Sequence, residues 1–123
     1  VASPLTPLMS RYKFVFSFES ARERDYVTEK LYIPLMAGSV PVYMGAPNVA
    51  EFVPHPRSFI DASAYESPRH LAEYLLYLDG NDTAYEEYHK WRQEPWGEAF
   101  VALQATAMNR GSVYNEGVVH GTA

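Results

Sequence analysis

The sequence predicts an α/β fold, a partial Rossmann-like parallel sheet with flanking helices. Three short apolar segments alternate with longer stretches of helical pattern, which is typical of a parallel sheet covered on both faces. Glycine and proline residues separate the segments. Doubly wound sheets usually contain about five or more strands. We therefore expect the chain to be the latter part of a larger domain.

The first half of the chain contains two of the expected strands and one helix. Residues 14–18 (Phe-Val-Phe-Ser-Phe) predict a buried strand, because aromatic and β-branched residues favour strands. Residues 26–37 predict a helix that ends at Gly38. Residues 40–44 predict the second strand. Its Pro41 cannot donate a backbone hydrogen bond, so this strand is either irregular at its end or lies at an edge.

The middle of the chain continues the alternation. Residues 48–53 predict one helical turn, and residues 58–61 predict a third short strand. Ser67 predicts the N-cap of a helix that begins at Pro68 and ends at Gly80. Leucines at helical spacing define the apolar face of this helix: Leu71, Leu75 and Leu78.

Two further helices are predicted at residues 82–93 and 98–108. Residues 1–10, with two prolines and two serines, predict a linker or a cut end. We accordingly divide the rest into a partial Rossmann-like domain (11–93) and a C-terminal helix with a flexible tail (94–123). Aromatic residues recur at every third position of the first of these helices, a stripe more typical of packing than of a sugar-binding surface: Tyr85, Tyr88 and Trp91.

The overall composition excludes several classes of function. A net charge of -5 and a pI of about 5.3 argue against nucleic-acid binding, which requires a basic face. The absence of cysteine excludes disulfide scaffolds, cysteine metal sites and thiol nucleophiles within this sequence. The four histidines have no second ligand at metal spacing, and we expect no metal or other cofactor. No apolar run is long enough to span a bilayer, so membrane attachment requires an anchor outside this sequence.

The densest polar cluster is residues 22–30 (Arg-Glu-Arg-Asp-Tyr-Val-Thr-Glu-Lys), between the first strand and the first helix. Ligands of open α/β sheets bind at such strand-to-helix loops. At about 100° per residue, Tyr26, Glu29 and Lys30 share one face of the predicted helix. The packing face lies on another side and consists of Val27, Leu31 and Leu35.

These side chains suit a sugar nucleotide. Lys30 can neutralise a diphosphate leaving group, Glu29 can accept hydrogen bonds from sugar hydroxyls, and Tyr26 can stack on a ring or donate its hydroxyl. The alternative interpretation is a solvated helix face on which Lys30 forms an exposed ion pair. Asp25 is interpreted as the helix N-cap rather than as a catalytic acid. Asn81-Asp82-Thr83 is an N-glycosylation sequon.

Three segments together resemble the donor-binding signature of the α1,3/4-fucosyltransferase family, glycosyltransferase family 10. They are residues 12–19, residues 25–31 (Asp-Tyr-Val-Thr-Glu-Lys-Leu) and residues 37–45 (Ala-Gly-Ser-Val-Pro-Val-Tyr-Met-Gly). The spacing between them also resembles the family, and the similarity covers about residues 11–92. The sequence departs from the family pattern at Ser20, where the family usually has Asn.

The resemblance implies a GT-B architecture, with two Rossmann-like domains and an active site between them. It implies inverting transfer of fucose from GDP-fucose to N-acetylglucosamine of a glycan, without a cofactor. By position, Tyr26, Glu29, Lys30, Glu19 and Ser20 would bind the donor, with Lys30 on the diphosphate. The general base would lie in a domain outside this sequence, so we expect the isolated chain to be inactive.

Eukaryotic members of this family are Golgi type II membrane proteins, which implies the lumenal side of the Golgi membrane. Two alternatives remain open. One is a GT-B transferase that uses a different nucleotide sugar. The other is a non-catalytic sugar-nucleotide-binding module, for which Ser20 is the only local indication.

Overall fold

A computed structural model of the chain describes residues 6–110. The helices and strands are α1 (Thr6–Met9), β1 (Phe14–Phe18), α2 (Glu29–Ala37), β2 (Val40–Met44), β3 (Ile60–Asp61), α3 (Pro68–Asp79), α4 (Asp82–Glu86) and α5 (Glu98–Arg110). Short 3₁₀ segments lie at Val49–Phe52, Pro56–Ser58, Ala62–Ala64 and Glu87–Gln93.

The three strands form one parallel sheet in the order β1-β2-β3. Phe14 pairs with Val40 and Phe18 with Met44, while Val42 pairs with Ile60. The predicted α/β class, a partial parallel sheet with helices, is confirmed. Because the strands are parallel, their carboxyl ends lie at the same edge of the sheet.

Apolar side chains fill both faces of β2, the central strand. Val40 and Val42 pack on one side, with residues of β3, α3 and α4. Tyr43 points to the opposite side, where it joins the cluster formed by α2, α5 and the 3₁₀ segments. Each fully buried large apolar side chain contributes roughly 1.5–3 kcal/mol. The two clusters therefore hold helices on both faces of the sheet.

The first strand lies at residues 14–18 as predicted, but the prediction that it is buried is wrong. Only Ser17 is buried in β1, while Phe16 is 62% exposed and Phe18 is 43% exposed. The reason is position, since β1 is an edge strand of the described sheet and β2 is its centre. The rings of Phe16 and Phe18 stack on each other with centroids 5.6 Å apart.

Pro41 lies in the central strand, so of the two alternatives for this strand the edge position is wrong. The neighbouring Val40 N–H donates to the carbonyl oxygen of Lys13, toward β1. Alternate residues of a strand point their backbone groups to opposite neighbours, so Pro41 points toward β3. The ladder to β3 begins only at Val42 and Ile60. Pro41 therefore interrupts no hydrogen bond of that ladder.

The third strand is shorter than predicted, two residues instead of four. Ser58 belongs to a 3₁₀ turn that local hydrogen bonds close. The ring nitrogen Nδ1 of His55 accepts from the Arg57 N–H at 3.0 Å, and the Ser58 hydroxyl donates to the His55 carbonyl at 2.7 Å. Such side-chain bonds compete with strand pairing. The helical turn predicted at residues 48–53 is present as the 3₁₀ segment Val49–Phe52.

The predicted helix at Pro68 is confirmed as α3. The Ser67 hydroxyl accepts from the His70 N–H at 3.3 Å, which is the expected N-cap. Leu71 and Leu78 are buried, and Leu75 is partly buried against the same cluster.

The single helix predicted at residues 82–93 is wrong in its second half, because α4 ends at Glu86 and a 3₁₀ segment continues to Gln93. A 3₁₀ helix has about three residues per turn, so residues at every third position lie above one another. The three-residue aromatic spacing fits that geometry. All three rings of the stripe are buried, which confirms the packing interpretation: Tyr85, Tyr88 and Trp91.

Both ends of the described chain pack on the rest. α1 lies within the segment predicted as a linker, and the Ser39 hydroxyl is 2.6 Å from the carbonyl oxygen of Met9. Phe100 of α5 is buried in the cluster around α2. The predicted flexible tail lies mostly at residues 111–123, outside the described residues. No helix among residues 6–110 is both long and apolar enough to cross a membrane.

Candidate functional site

The segment that joins β1 to α2, residues 19–28, lies at the carboxyl edge of the sheet. We call it the β1–α2 loop. Its first residue, Glu19, still bonds to β2, because its N–H donates to the Met44 carbonyl oxygen at 2.8 Å. The loop contains most of the polar cluster singled out in the sequence. Ligands of open α/β sheets bind at this edge, so the loop is the candidate site.

Helix α2 begins at Glu29, three residues later than predicted. Thr28 is its N-cap, with an extended backbone and a hydroxyl that accepts from the Lys30 N–H at 3.2 Å. Tyr26 therefore lies in the loop and not on the helix face that we assigned to it. The predicted packing residues do face the core, since Val27, Leu31 and Leu35 are all buried. Gly38 ends the helix in the left-handed conformation, as expected.

The interpretation of Asp25 as the helix N-cap is wrong. Thr28 caps α2 instead, and Asp25 lies three residues before it with a φ of 66°, outside the extended region that is typical of an N-cap. Asn48, which precedes the first 3₁₀ segment, holds it. Its Oδ1 accepts from the Asp25 N–H at 2.9 Å, and its Nδ2 donates to the Asp25 carboxylate at 2.7 Å.

The carboxylate of Glu19 connects the base of the loop to its end. It accepts hydrogen bonds from the Thr28 N–H at 2.8 Å, the Thr28 hydroxyl at 2.7 Å and the Tyr43 hydroxyl at 3.1 Å. An ionised carboxylate offers about four acceptor positions. Three of them are therefore satisfied by the described residues.

Tyr43 supplies the third of these bonds from the central strand. Burial of the Tyr43 hydroxyl, together with the nearby Glu19 carboxylate, raises the Tyr43 pKa well above its usual range. The phenol therefore remains protonated and donates to Glu19. Its oxygen accepts from the Ala46 N–H at 3.3 Å. This hydroxyl thus bridges the loop to the turn after β2.

Gly45 follows β2 and lies against Glu19. A Cβ at this position would collide with the Glu19 Cγ and lie 2.6 Å from the Tyr43 hydroxyl oxygen. The structure fills this space with the Glu19 side chain.

Four of the five candidate site residues are exposed: Ser20, Tyr26, Glu29 and Lys30. The hydroxyls of Ser20 and Tyr26 are brought together at 3.1 Å. Glu29 and Lys30 occupy the first turn of α2. Among the ion pairs of residues 6–110, none involves Lys30. Its ammonium group thus projects into solvent beside the loop, without the ion pair that the alternative interpretation supposes.

The four exposed candidate residues combine the Lys30 ammonium, one carboxylate and two hydroxyls. This set can bind an anion next to a polyhydroxylated group, since the ammonium attracts phosphate and the other groups bond to hydroxyls. The part of the chain that the structure describes contains no group of three histidine, aspartate or glutamate residues that could hold a metal ion.

Sequence reasoning missed the residues that shape the loop: Thr28, Tyr43, Gly45 and Asn48. Thr28 was detectable in principle, because threonine before Glu-Lys and an apolar run is an N-cap signal. The competing signal was Asp25, which is an equally good N-cap residue. The contacts of Tyr43 and Asn48 span more than 20 positions of sequence, and no local pattern indicates them.

Comparison with known proteins gives a consistent result. Residues 2–113 match the family described as "Glycosyltransferase family 10 (fucosyltransferase) C-term". A relative from Gallus gallus, "GDP-fucose protein O-fucosyltransferase 3", is 46% identical over 85 residues, which are 69% of this chain and 18% of that protein. An "Alpha-(1,4)-fucosyltransferase" from Arabidopsis thaliana is 51% identical over 85 residues, 69% of this chain and 21% of that protein.

Two solved structures have folds similar to that of this chain. One described as "Crystal Structure of alpha1,3-Fucosyltransferase with GDP" has a TM-score of 0.65 and 29% identity, covering 71% of this chain and 25% of the other. A structure of "alpha1,3-Fucosyltransferase with GDP-fucose" has a TM-score of 0.67 over 92% of this chain and 37% of the other, at 23% identity, and supports the fold alone. The chain spans about a fifth of the length of the curated relatives it matches.

Proposed function

Because this chain belongs to glycosyltransferase family 10, the fucosyltransferases, we propose that its β1–α2 loop binds GDP-fucose as the donor site of a fucosyltransferase. The observation that carries this proposal is the exposed ammonium of Lys30, which has no ion-pair partner among residues 6–110. It lies at the ligand-binding edge of a parallel sheet. The family match extends the resemblance predicted from residues 11–92 to residues 2–113.

The donor-binding roles follow the chemistry of each side chain. Lys30 binds the diphosphate, and Glu29 accepts from ribose or sugar hydroxyls. Tyr26 and Ser20, whose hydroxyls already lie 3.1 Å apart, offer a paired donor and acceptor beside them. Glu19 has one remaining acceptor position and otherwise holds the loop.

The proposed reaction is an inverting transfer. The acceptor hydroxyl oxygen attacks C1 of fucose, and the bond from C1 to the β-phosphate oxygen breaks. The electron pair of that bond passes to GDP, whose developing charge Lys30 stabilises. The acceptor proton passes to a general base. Family resemblance assigns this base to a GT-B domain outside the present sequence, so the isolated chain binds the donor without turning it over. The roles require no cofactor.

For the acceptor we propose a hydroxyl of N-acetylglucosamine in a glycan, as in α1,3-fucosylation. The Arabidopsis relative is named for a related linkage. A second candidate is a protein hydroxyl, which the name of the Gallus relative favours. Assay of the full-length parent protein with both acceptor classes distinguishes them, because product mass and linkage differ.

We also propose a lumenal Golgi location, with any membrane anchor outside this sequence. One observation supports it. Asn81 of the sequon caps α4 through Oδ1, which accepts from the Ala84 N–H at 3.0 Å, while Nδ2 donates only to the Tyr77 hydroxyl at 3.4 Å among the described residues, so a glycan on Nδ2 leaves the cap intact. A glycosidase-sensitive mass shift that Thr83→Ala abolishes would support this location, and cytosolic fractionation of the parent would contradict it.

The donor proposal is tested by titrating the 123-residue chain with GDP-fucose, GDP, UDP and ADP while amide NMR signals are recorded. We expect the guanine ligands alone to shift signals of the loop. Lys30→Ala should weaken GDP binding about tenfold or more, since a charge-assisted hydrogen bond contributes roughly 1.5–3 kcal/mol. Lys90→Ala, which removes a lysine paired with Glu87 on the 3₁₀ segment after α4, is the matched control. Preference for UDP would refute the guanine assignment.

A further inference from the structure

The reciprocal hydrogen bonds between Asn48 and Asp25 suggest a role for a residue outside the donor-binding motif. We propose that Asn48 is a positioning residue for donor binding, which holds the β1–α2 loop in its binding conformation through Asp25. This inference rests on the proposed function of the loop and adds to it a determinant of affinity that does not touch the donor.

Asp25 needs stabilising contacts from elsewhere in the fold, because its backbone lies in an unfavourable region of φ/ψ space. Among the described residues, it alone combines a side chain with a positive φ. The left-handed region costs an ordinary side chain roughly 1–2 kcal/mol, although aspartate and asparagine tolerate it better than most. Such conformations persist when the surrounding structure fixes them, and they concentrate at functional sites.

Asn48 is suited to fix this conformation because its own backbone is anchored. Its carbonyl oxygen accepts from the Glu51 N–H at 3.1 Å as the first 3₁₀ segment begins. Asn48 is only 8% exposed, and its side chain makes no capping bond to that segment. The buried amide instead points to Asp25, where its oxygen and its nitrogen are both satisfied. An amide without these bonds would be buried at a cost.

The bonds of Asn48 act on the neighbours of Asp25 in the chain. Tyr26 comes next, and its hydroxyl meets Ser20. Thr28, two residues further, is bonded to Glu19 and caps α2. The loop is therefore held at its base by Glu19 and at its turn by Asn48. Without the second contact, the exposed Arg24–Glu51 ion pair at 3.4 Å and the buried Val27 still connect this part of the loop to the fold, but the left-handed backbone of Asp25 loses both bonds to Asn48 that fix it.

Loss of the Asn48 contact affects binding because it lowers the fraction of molecules in which the loop is ordered. A ligand that binds only the ordered loop has its apparent affinity reduced by the fraction of molecules in which the loop is ordered. The two hydrogen bonds between Asn48 and Asp25 hold the loop in its ordered conformation, and one of them is charge-assisted. We expect Asn48→Ala to weaken GDP binding about tenfold, while the contacts of Lys30 with the ligand are unchanged.

The test is a rescue experiment on the 123-residue chain, with GDP as the probe. Asn48→Asp places a second carboxylate against Asp25 and should weaken binding more than tenfold. The double variant Asp25→Asn with Asn48→Asp exchanges the two groups. It can form both hydrogen bonds again, with the carboxylate now at position 48 as the acceptor, and should restore the affinity to within about threefold. Asn81→Asp is the control, because aspartate caps α4 equally well at a site far from the loop.

Two outcomes would overturn the inference: wild-type affinity in Asn48→Asp, or failure of the double variant to recover while its fold is intact. If the Asn48 variants do not fold, two variants of Asp25 provide the test. Asp25→Gly keeps the positive φ but loses the side-chain bond, and should bind more weakly than Asp25→Asn, which keeps both. Equal affinities of these two variants would contradict the proposal.

The donor assignment and the positioning role of Asn48 can be tested separately. If the wild-type chain does not bind GDP, the donor assignment is wrong. The {¹H}-¹⁵N NOE of the Tyr26 amide then still reports the order of the loop. It should fall in Asn48→Asp and recover in the double variant. An unchanged NOE in all variants would refute the positioning role without any ligand.

Discussion

The Tyr43 hydroxyl donates to the Glu19 carboxylate across 3.1 Å, and this bond joins the middle strand of the sheet to the first residue of the β1–α2 loop. The same carboxylate bonds twice to Thr28, which caps α2. One side chain therefore fixes both where the loop leaves the sheet and where the helix begins. The rigid core can in this way determine the position of the exposed residues Tyr26 and Lys30.

Gly45→Ala tests whether the space beside Glu19 is required. The added methyl group would collide with the Glu19 Cγ and press on the Tyr43 hydroxyl. We expect a loss of about 1–3 kcal/mol in the free energy of unfolding, typical of overpacking, together with weaker GDP binding. Denaturant unfolding and a GDP titration measure the two effects.

Gly80→Ala is the matched control for this substitution. The nearest heavy atom to its new Cβ is the Leu76 carbonyl oxygen at 3.7 Å, an ordinary contact, and the φ of Gly80 is -92°. We expect its stability and affinity to stay close to those of the wild type. Equal effects of the two alanines would mean that the Gly45 site has no special constraint.

Tyr43→Phe removes one buried hydroxyl and no other group. The Ala46 N–H loses its acceptor, and Glu19 loses a donor. We expect the free energy of unfolding to fall by about 1–3 kcal/mol, as for other buried groups left unsatisfied, and GDP affinity to fall as well. Unfolding curves and binding isotherms of the same samples give both values.

Tyr32→Phe separates stability from binding. The Tyr32 hydroxyl is also buried and donates to the Phe52 carbonyl oxygen at 2.9 Å, on the core side of α2 and away from Glu19. We expect this variant to lose stability while it keeps its GDP affinity. If Tyr43→Phe behaves in the same way, the bond from Tyr43 to Glu19 has no part in donor binding.

Local patterns predicted the elements whose residues interact mainly with their sequence neighbours. The Ser67-Pro68 start of α3 and the Gly38 end of α2 are examples, since a cap requires only residues a few positions away. The start of α2 was not predictable in this way. Asp25 and Thr28 are both good caps, and the contact that excludes Asp25 comes from Asn48, 23 positions later.

The candidate site was predicted in its exposed residues and missed in its buried ones. Lys30 and Glu29 stand in a distinctive motif, so both sequence and chemistry indicated them. Tyr43 is one of several apolar residues in β2, and nothing in a strand pattern reveals a hydroxyl that bonds to a loop. Similarly, the exposure of Phe16 follows from the position of β1 at the edge of the described sheet, and the residue pattern of a single strand does not reveal the strand order.

Ser20→Asn restores the residue that the family usually has at this position. Ser20 is exposed, and its hydroxyl bonds only to the Tyr26 hydroxyl within the described residues. An amide reaches further and adds both a donor and an acceptor. We expect GDP-fucose to bind about three- to tenfold more tightly, the gain from one net hydrogen bond. Isothermal titration of the variant measures the change.

Ser20→Ala gives the opposite comparison. It removes the partner of the Tyr26 hydroxyl and should weaken GDP-fucose binding by a few-fold. Unchanged affinity in both Ser20 variants would show that the side chain at this position does not influence the donor. Such a result would not affect the roles proposed for Lys30 and Glu29.

His89 makes part of the stability depend on pH. Burial lowers the His89 pKa below its usual value of about 6.5, and the nearby Arg92 lowers it further, while Glu86 opposes them. The hydrogen bonds agree with a neutral ring. Nδ1 accepts from the Arg92 Nε–H at 3.3 Å, and Nε2 can then donate to the Tyr85 hydroxyl at 3.1 Å.

The sign of the effect follows from proton binding. The unfolded chain binds a proton at His89 at a higher pH than the folded chain does, so acidification favours unfolding. Stability contributed by His89 is present above about pH 6.5 and is lost as the pH falls toward its folded pKa. Urea unfolding between about pH 7.5 and 5 should therefore show a decline that is smaller in His89→Gln, which cannot titrate. Identical pH slopes for the two proteins would mean that His89 is as easily protonated in the fold as in the unfolded chain, and the network from Arg92 to Tyr85 would then tolerate an imidazolium.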